Sequence, residues 1–271
     1  MNHIPNFLII GAARSGTTTL YEWLREHPNI YLPIPKRPEP HFFLKTQEYQ
    51  KGFDYYVDRY FSNWEGQKAV GEVSTSYIYQ SFAAHRIKNN LPDVKIIAIL
   101  RHPVERAYSN YLHTVNSGLE TLSFEDAIKY ELERTSNPFK FLPDHVKVET
   151  NDPNFWLEVQ PYAYVNRGFY FNQLEIFYKL FLKSNIFVCL FDELVQDSDS
   201  LVKKLYHFLD VDERFIPQSI YKVFNGSLNK KKYVINQEIQ DQLLQIYAPE
   251  NDKLKTLINF DLDKWERTIE F

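Results

Sequence analysis

Cysteine occurs once in the 271 residues, at Cys189, so no disulfide can form within the chain and a reducing compartment suits it. Glycine is scarce, with 8 residues, which argues against a linker-rich or repetitive architecture. No apolar run approaches the roughly 18 residues of a membrane helix. The run near the N-terminus, Phe7–Ile10, is too short for a signal peptide and lacks a basic flank. Positive charge is not in excess either: a net charge of −4 gives no global reason to expect nucleic-acid binding. No Cys/His cluster has zinc spacing, and no G-x-S-x-G elbow is present. A soluble, cytoplasmic protein without a membrane span or a nucleic-acid partner is therefore expected. What the chain does have is core material, 44% hydrophobic and 16% aromatic residues. The length suits one large α/β domain or two small ones.

The stretch Phe7-Leu8-Ile9-Ile10-Gly11-Ala12-Ala13-Arg14-Ser15-Gly16-Thr17-Thr18-Thr19 organises the rest. Four apolar residues predict a buried strand, a small-residue loop follows, and Thr17 to His27 reads as a helix. Strand, glycine loop and helix start make an anion cradle, because backbone N–H groups and the positive end of the helix dipole converge there. The spacing nearly matches the P-loop G-x-x-x-x-G-K-[ST]. Thr17 stands where the lysine would be, and the cation, Arg14, lies inside the loop. A plain glycine turn is the bland alternative; three consecutive threonines at the helix start favour the anion site.

Further strands are expected at 29–32, 68–73, 94–100 and 185–190, with Val94–Leu100 the clearest, apolar on both faces as an interior parallel strand is. Helices are expected at 47–61, 77–90, 104–117, 124–134, 168–181 and 199–209, and one or two at 236–257. The proline-rich run Pro33–Pro40 forbids regular structure, and a rigid loop leaving the sheet there suits catalytic groups. Residues 137–165 show no period and read as an irregular insertion. The alternation of strands and helices predicts a P-loop-like three-layer α/β fold, a central parallel sheet flanked by helices.

A kinase or NTPase would need a loop lysine and a strand-end acid for Mg²⁺. The loop has no lysine, and Val94–Leu100 ends in Arg101, which attracts an anion rather than a metal. Arg101 offers a planar fork to phosphate oxygens, and Ser109, two turns into the next helix, adds a hydroxyl. One phosphate at the first loop and another at this second place describe a nucleoside bisphosphate.

These residues resemble a known family. Gly11-Ala12-Ala13-Arg14-Ser15-Gly16-Thr17-Thr18 and Arg101-His102-Pro103-Val104-Glu105-Arg106-Ala107-Tyr108-Ser109 look like the two nucleotide signatures of the sulfotransferases that use 3′-phosphoadenosine 5′-phosphosulfate, PAPS. Pro38-Glu39-Pro40-His41-Phe42-Phe43 is similar to the K-E-x-H-F-F segment of the heparan-type glucosaminyl N- and 3-O-sulfotransferases. The likeness continues through Gly71–Tyr77 and Arg167–Tyr170 to Lys230–Tyr233, spanning about residues 6–235 with 119–165 unmatched.

The resemblance implies a single sulfotransferase domain over 1–271, with 119–165 as an insertion that shapes the acceptor site. It implies that Ser15, Gly16, Thr17 and Thr18 hold the 5′-phosphate, that Arg14 bridges the phosphosulfate and steadies the leaving oxygen, and that Arg101 and Ser109 hold the 3′-phosphate. Asn229, Lys230, Lys231, Lys232 and Tyr233 would form a gate loop around adenine, three lysines replacing a more glycine-containing pattern. Glu39 is expected to be the general base of a direct in-line transfer without a metal, with His41 as the rival base and Lys36 as an added cation. Glu72 is read as orienting the acceptor or Lys36. The expected partners are PAPS and a hydroxyl- or amine-bearing carbohydrate, lipid or small natural product. A P-loop nucleotide kinase and a non-catalytic nucleotide-binding module remain as rivals; Glu39 separates the second, since a mere binder has no use for a base.

Overall fold

Five short apolar runs become the strands of one sheet: β1 (Phe7–Gly11), β2 (Ile30–Tyr31), β3 (Ala69–Val73), β4 (Lys95–Leu100) and β5 (Ile186–Leu190). In this computed structural model, which describes residues 4–34, 39–136, 160–222 and 235–267, they lie in the order β2-β3-β1-β4-β5. Every pairing is parallel, with Ile9 opposite Val73 on one side and Ile97 on the other, and Ala98 opposite Val188. All residues of β1 and β3 are buried, as interior parallel strands with helices on both faces require. The sheet and its flanking helices match the expected architecture. The strand order reverses at β1, so the crevice beyond the carboxyl ends of β1 and β4 is the natural ligand position in such a sheet.

Most elements appear within a residue or two of expectation, α1 at Thr17–Glu26 and α5 at Pro103–Asn116 among them. Three expected helices are broken instead. The segment 47–61 is two helices, α2 (Thr46–Tyr49) and α3 (Phe53–Phe61), because Gly52 sits between them at φ 91°. The segment 77–90 is a single 3₁₀ turn, Tyr77–Tyr79, followed by α4 (Ser81–Asn90), and 124–134 divides into Phe124–Lys129 and Glu131–Ser136. A further helix, Phe191–Gln196, was not expected; it starts as β5 ends, where Glu193 Oε2 accepts the Leu190 N–H at 2.9 Å. Gln237–Ile258 is one helix of 22 residues that contains Pro249.

The chain divides into two compact units, residues 1–101 with 176–228, and residues 102–175 with 229–271. The first holds the whole sheet, and its core joins Phe7, Ile9, Leu20, Trp23, Leu24 and Ile97 to Leu201, Leu205 and Tyr206 of the helix Ser198–Leu209. The second has its own core of Val104, Ala107, Tyr108, Phe124, Tyr162, Tyr164, Leu243 and Tyr247. Buried polar contacts order it. Glu131 accepts the N–H groups of Val165 and Asn166 at 2.6 and 2.8 Å, and Glu120 pairs with Arg134 and takes the Tyr164 hydroxyl. The described ends of the segment 119–165 thus belong to this core, while positions 137–159 lie outside the described residues.

Candidate functional site

The loop after β1 is shaped by its two glycines. Gly11 has φ 148°, and a Cβ on it would fall 2.5 Å from Ile78 Cγ2 and 2.9 Å from the Thr75 carbonyl oxygen. Gly16 caps α1 in the left-handed conformation, φ 95° and ψ 9°, against Phe191 and Leu194. Between them the Ala12 N–H continues the sheet by donating to the Ile99 carbonyl at 2.8 Å, and Ser15 N–H donates to the Ala12 carbonyl at 3.2 Å. The first turn of α1 carries no acidic side chain, which leaves the positive end of the helix dipole for an anion. Ser15 is fully buried, and its Oγ has no hydrogen-bond partner among the described residues. A phosphate oxygen is the group this loop suits: it would pair with that hydroxyl and with the N–H groups at the start of α1. Arg14 stands in the loop half-buried at φ 71°.

Arg101 is brought to the same loop. It follows β4, and its Nη1 donates to the Arg14 carbonyl at 3.4 Å. Its guanidinium lies 4.6 Å from the Phe191 ring centre, a cation–π contact that fixes the direction of the fork. Ser109 lies in the second compact unit, half-buried on α5, and Arg101 belongs to the first. Lys36 and the gate-loop residues Asn229, Lys230, Lys231, Lys232 and Tyr233 lie outside the described residues.

Glu39 is placed beside the loop by Thr75. Its Oε2 accepts both the Thr75 N–H and the Thr75 hydroxyl at 2.9 Å, and the carbonyl of the same threonine is the group packed against Gly11. The Glu39 side chain is 4% exposed, and His41 Nε2 lies 3.2 Å from the same oxygen. His41 itself is held at φ 50° with its N–H donated to Ser74 Oγ at 2.9 Å, while its Nδ1 has no hydrogen-bond partner among the described residues. The pairing makes His41 an orienting partner of Glu39. A carboxylate held on one oxygen by a hydroxyl, an amide and an imidazole is fixed in direction, which a proton acceptor needs.

A second carboxyl lies close by. Glu72, on β3, is fully buried and accepts the Tyr77 hydroxyl on Oε1 at 2.7 Å. Burial, aided by the nearby Glu39 charge, pushes its pKa up from the ordinary 4.5 to about 8, against hydrogen bonding that favours the anion. The Tyr56 hydroxyl faces the same carboxyl and favours its anion as a hydrogen-bond donor does, although neither it nor Glu72 Oε2 meets strict hydrogen-bond geometry. The Glu39 and Glu72 carboxyls thus lie close enough for the charge of one to act on the other.

Sequence reasoning found the loop, Arg101 and Glu39 but missed the link between them. Thr75 was noted only as part of the Gly71–Tyr77 segment, and nothing in its residue type signals a contact with a glutamate 36 positions away. The tendency of the turn after β3 to sit beside the β1 loop, as adjacent strands in the order impose, was the available hint.

Comparison with known proteins agrees with this geometry. Residues 5–252 match the sulfotransferase domain family. The membrane-associated sulfotransferase kil1 of Dictyostelium discoideum is 25% identical over 97% of this chain and 67% of its own length. The mouse bifunctional heparan sulfate N-deacetylase/N-sulfotransferase 4 is 39% identical over 41% of this chain, and the mouse heparan sulfate glucosamine 3-O-sulfotransferase 3A1 is 37% identical over 45%. The matched stretches span only 13% and 30% of those two proteins. In structure, a sulfotransferase from Alicyclobacillus acidocaldarius superposes with a TM-score of 0.79 at 29% identity, over 98% of this chain and all of that one. The sulfotransferase domain of the curacin biosynthetic pathway shares the fold, with a TM-score of 0.52 at 16% identity. With its residues 5–252 matched by the family model and its sheet shared with solved sulfotransferases, this chain belongs to the sulfotransferase domain family and shows local likeness to heparan-type enzymes.

Proposed function

We propose that this protein transfers a sulfuryl group from PAPS to a hydroxyl or amine of a carbohydrate, lipid or small natural-product acceptor. The observation that carries the reading is the chain of contacts from Glu39 through Thr75 to Gly11, which sets a buried carboxylate next to the glycine loop. In the reaction the acceptor oxygen or nitrogen attacks sulfur in line with the leaving phosphate oxygen, and the acceptor's proton passes to Glu39. The bond from sulfur to that oxygen breaks, and adenosine 3′,5′-bisphosphate leaves. Ser15, Gly16, Thr17 and Thr18 hold the 5′-phosphate, and Arg14 balances charge on the leaving oxygen. The sequence resemblance supports Arg101 and Ser109 as ligands of the 3′-phosphate, and Asn229, Lys230, Lys231, Lys232 and Tyr233 as nucleotide contacts. His41 orients Glu39. The names of the heparan-type relatives favour a carbohydrate among the three acceptor classes. Arginine where an NTPase carries a metal-binding acid supports a reaction that uses no metal. The lone buried Cys189 supports a cytoplasmic setting.

Calorimetry with adenosine 3′,5′-bisphosphate, ATP·Mg²⁺ and AMP tests the reading. The bisphosphate binds without metal and most tightly; preference for ATP·Mg²⁺ would sink the proposal in favour of a kinase. Glu39→Gln retains bisphosphate binding and loses turnover by about 10²–10⁴-fold, the usual contribution of a general base. Unchanged turnover in that variant transfers the base role to His41.

A further inference from the structure

Glu39 stands at the start of a segment, residues 39–43, that is neither helix nor strand. A base carried on such a segment keeps its direction only through the groups that grip it. Every second residue is gripped from the stretch that follows β3. Glu39 accepts from Thr75, the His41 N–H donates to Ser74 Oγ at 2.9 Å, and the Phe43 N–H donates to the Tyr77 hydroxyl oxygen at 3.2 Å. Ser74 is anchored by the sheet, since its N–H donates to the Ile9 carbonyl at 3.0 Å. The Tyr77 hydroxyl, at the end of a long side chain, is fixed instead by Glu72. It donates its hydrogen to Glu72 Oε1 at 2.7 Å, which aims the oxygen's lone pairs at Phe43.

Aromatic rings complete the grip. Phe42 stacks on Tyr56 with ring centres 4.5 Å apart, and Phe43 meets Tyr56 and Tyr77 edge-on at 5.3 and 5.7 Å. The His41 ring stands edge-on to Tyr77 at 6.1 Å. The Tyr56 hydroxyl faces the same Glu72 carboxyl that Tyr77 binds. Phe42, Phe43, Tyr56, Tyr77 and Glu72 are all wholly buried. Both tyrosines that hold the segment therefore converge on one carboxyl.

We propose that Glu72 is a positioning residue: through Tyr77 it fixes the segment 39–43 and so the direction of the Glu39 carboxylate. The inference rests on the sulfotransferase reading above, in which Glu39 takes the acceptor's proton. Glu72 has no exposed surface with which to touch a substrate, so its effect on turnover runs through Glu39. A buried carboxyl among aromatic rings is costly by itself, and a leucine of similar size would fill the space. That leucine would leave the Tyr77 hydroxyl without an acceptor and Phe43 without a fixed partner.

Residue-resolved amide exchange on the full chain tests the grip without any acceptor. Tyr77→Phe keeps the ring and deletes the hydroxyl. Exchange at Phe43 is expected to quicken about tenfold, and exchange at Thr75, whose N–H is bound to Glu39, to quicken with it. Amides of β1 and β4 keep their wild-type rates. Glu72→Leu reproduces this pattern, and Glu72→Gln, whose amide oxygen still accepts from Tyr77, restores slow exchange. Wild-type exchange at Phe43 and Thr75 in Tyr77→Phe, or uniform quickening across the sheet, overturns the inference. Turnover gives a second readout, the transfer of labelled sulfuryl from PAPS to a glucosamine oligosaccharide, which offers both hydroxyls and amines. Tyr77→Phe is expected to lower kcat about tenfold at unchanged affinity for adenosine 3′,5′-bisphosphate, and to lower nothing further in a chain already carrying Glu39→Gln. An equal loss in both backgrounds overturns the inference, because a group acting through Glu39 has nothing to act on once that carboxylate is gone. A wild type that binds the bisphosphate but labels no oligosaccharide loses the carbohydrate assignment, and the exchange pattern alone then decides the grip. One that does not bind the bisphosphate loses the sulfotransferase reading instead.

Discussion

At the scale of single residues, two side chains around β3 carry consequences that the phosphate loop alone does not. Thr75 gives Glu39 two donors, one from the backbone and one from the hydroxyl. Thr75→Val keeps the backbone bond and the side-chain shape but deletes the hydroxyl. A hydrogen bond to a charged group contributes about 1.5–3 kcal/mol, so kcat is expected to fall roughly 10- to 100-fold while bisphosphate affinity stays. A steady-state kcat with calorimetric affinity on the same variant checks it; loss of both together would show a disturbed loop instead. Glu72 has the opposite character, since its burial works against the fold. Its carboxyl ionises near 4.5 when unfolded and near 8 when folded, so the native state holds a proton that the unfolded chain has released. Stability from this group is therefore complete below about pH 4.5 and declines as pH rises from there to 8, by an amount on the order of 3–5 kcal/mol. Glu72→Gln removes the titration. Its Tm relative to wild type is expected to be higher at pH 8 than at pH 5, and a difference independent of pH would contradict the assignment.

At the scale of elements, the loop between β1 and α1 depends on a backbone that an L-residue side chain does not fit. Gly11→Ala meets both a positive φ and the Thr75 carbonyl at 2.9 Å, a backbone atom that cannot swing away. Strain and overpacking of this kind cost about 1–3 kcal/mol each. The variant is expected to melt lower and to lose turnover beyond what its stability explains, because displacing Thr75 displaces Glu39; thermal melts paired with kcat below Tm test it. The loop and the helix after it were legible in the sequence, since four apolar residues, two glycines and a threonine run are local signals. Other elements were less so. The break at Gly52 is a case where a helical pattern of aromatics outweighed the one residue that ends it. The short helix Phe191–Gln196 was hidden because six residues are too few to show a helical period and no glycine or proline separates them from β5. It matters to the site, since Phe191 packs at Gly16 and under Arg101.

At the scale of the molecule, the two compact units each carry a core, and each should respond to truncation on its own account. Trp23 is almost wholly buried in the first and donates its indole N–H to the Ser219 carbonyl at 3.3 Å. Trp23→Ala is expected to cost about 3–5 kcal/mol, read as a lowered midpoint in urea. Ligand linkage acts in the other direction. Adenosine 3′,5′-bisphosphate at 100 times its Kd stabilises the native state by about 2.7 kcal/mol, and a rise in Tm with the bisphosphate but not with AMP at equal concentration is the expected outcome. No shift with either nucleotide would argue that the loop holds a different anion.

The sequence by itself determined the strands, the parallel α/β class, the glycine loop and the two candidate groups Arg101 and Glu39, because each is written in a run of neighbouring residues whose periodicity or residue type acts locally. Only the tertiary structure decided which of them meet. Thr75 joins Glu39 to Gly11, Arg101 reaches the Arg14 carbonyl across 87 positions, and Glu72 is sealed between tyrosines where its proton is retained. Those outcomes depend on strand order and on burial, and burial is a property of everything packed around a residue rather than of the residue. The departure from the P-loop pattern, Thr17 in the lysine position, is written in the sequence. The cleft lined by Tyr60 of α3, Tyr31 of β2 and Glu72 of β3 existed only once those elements had been brought together.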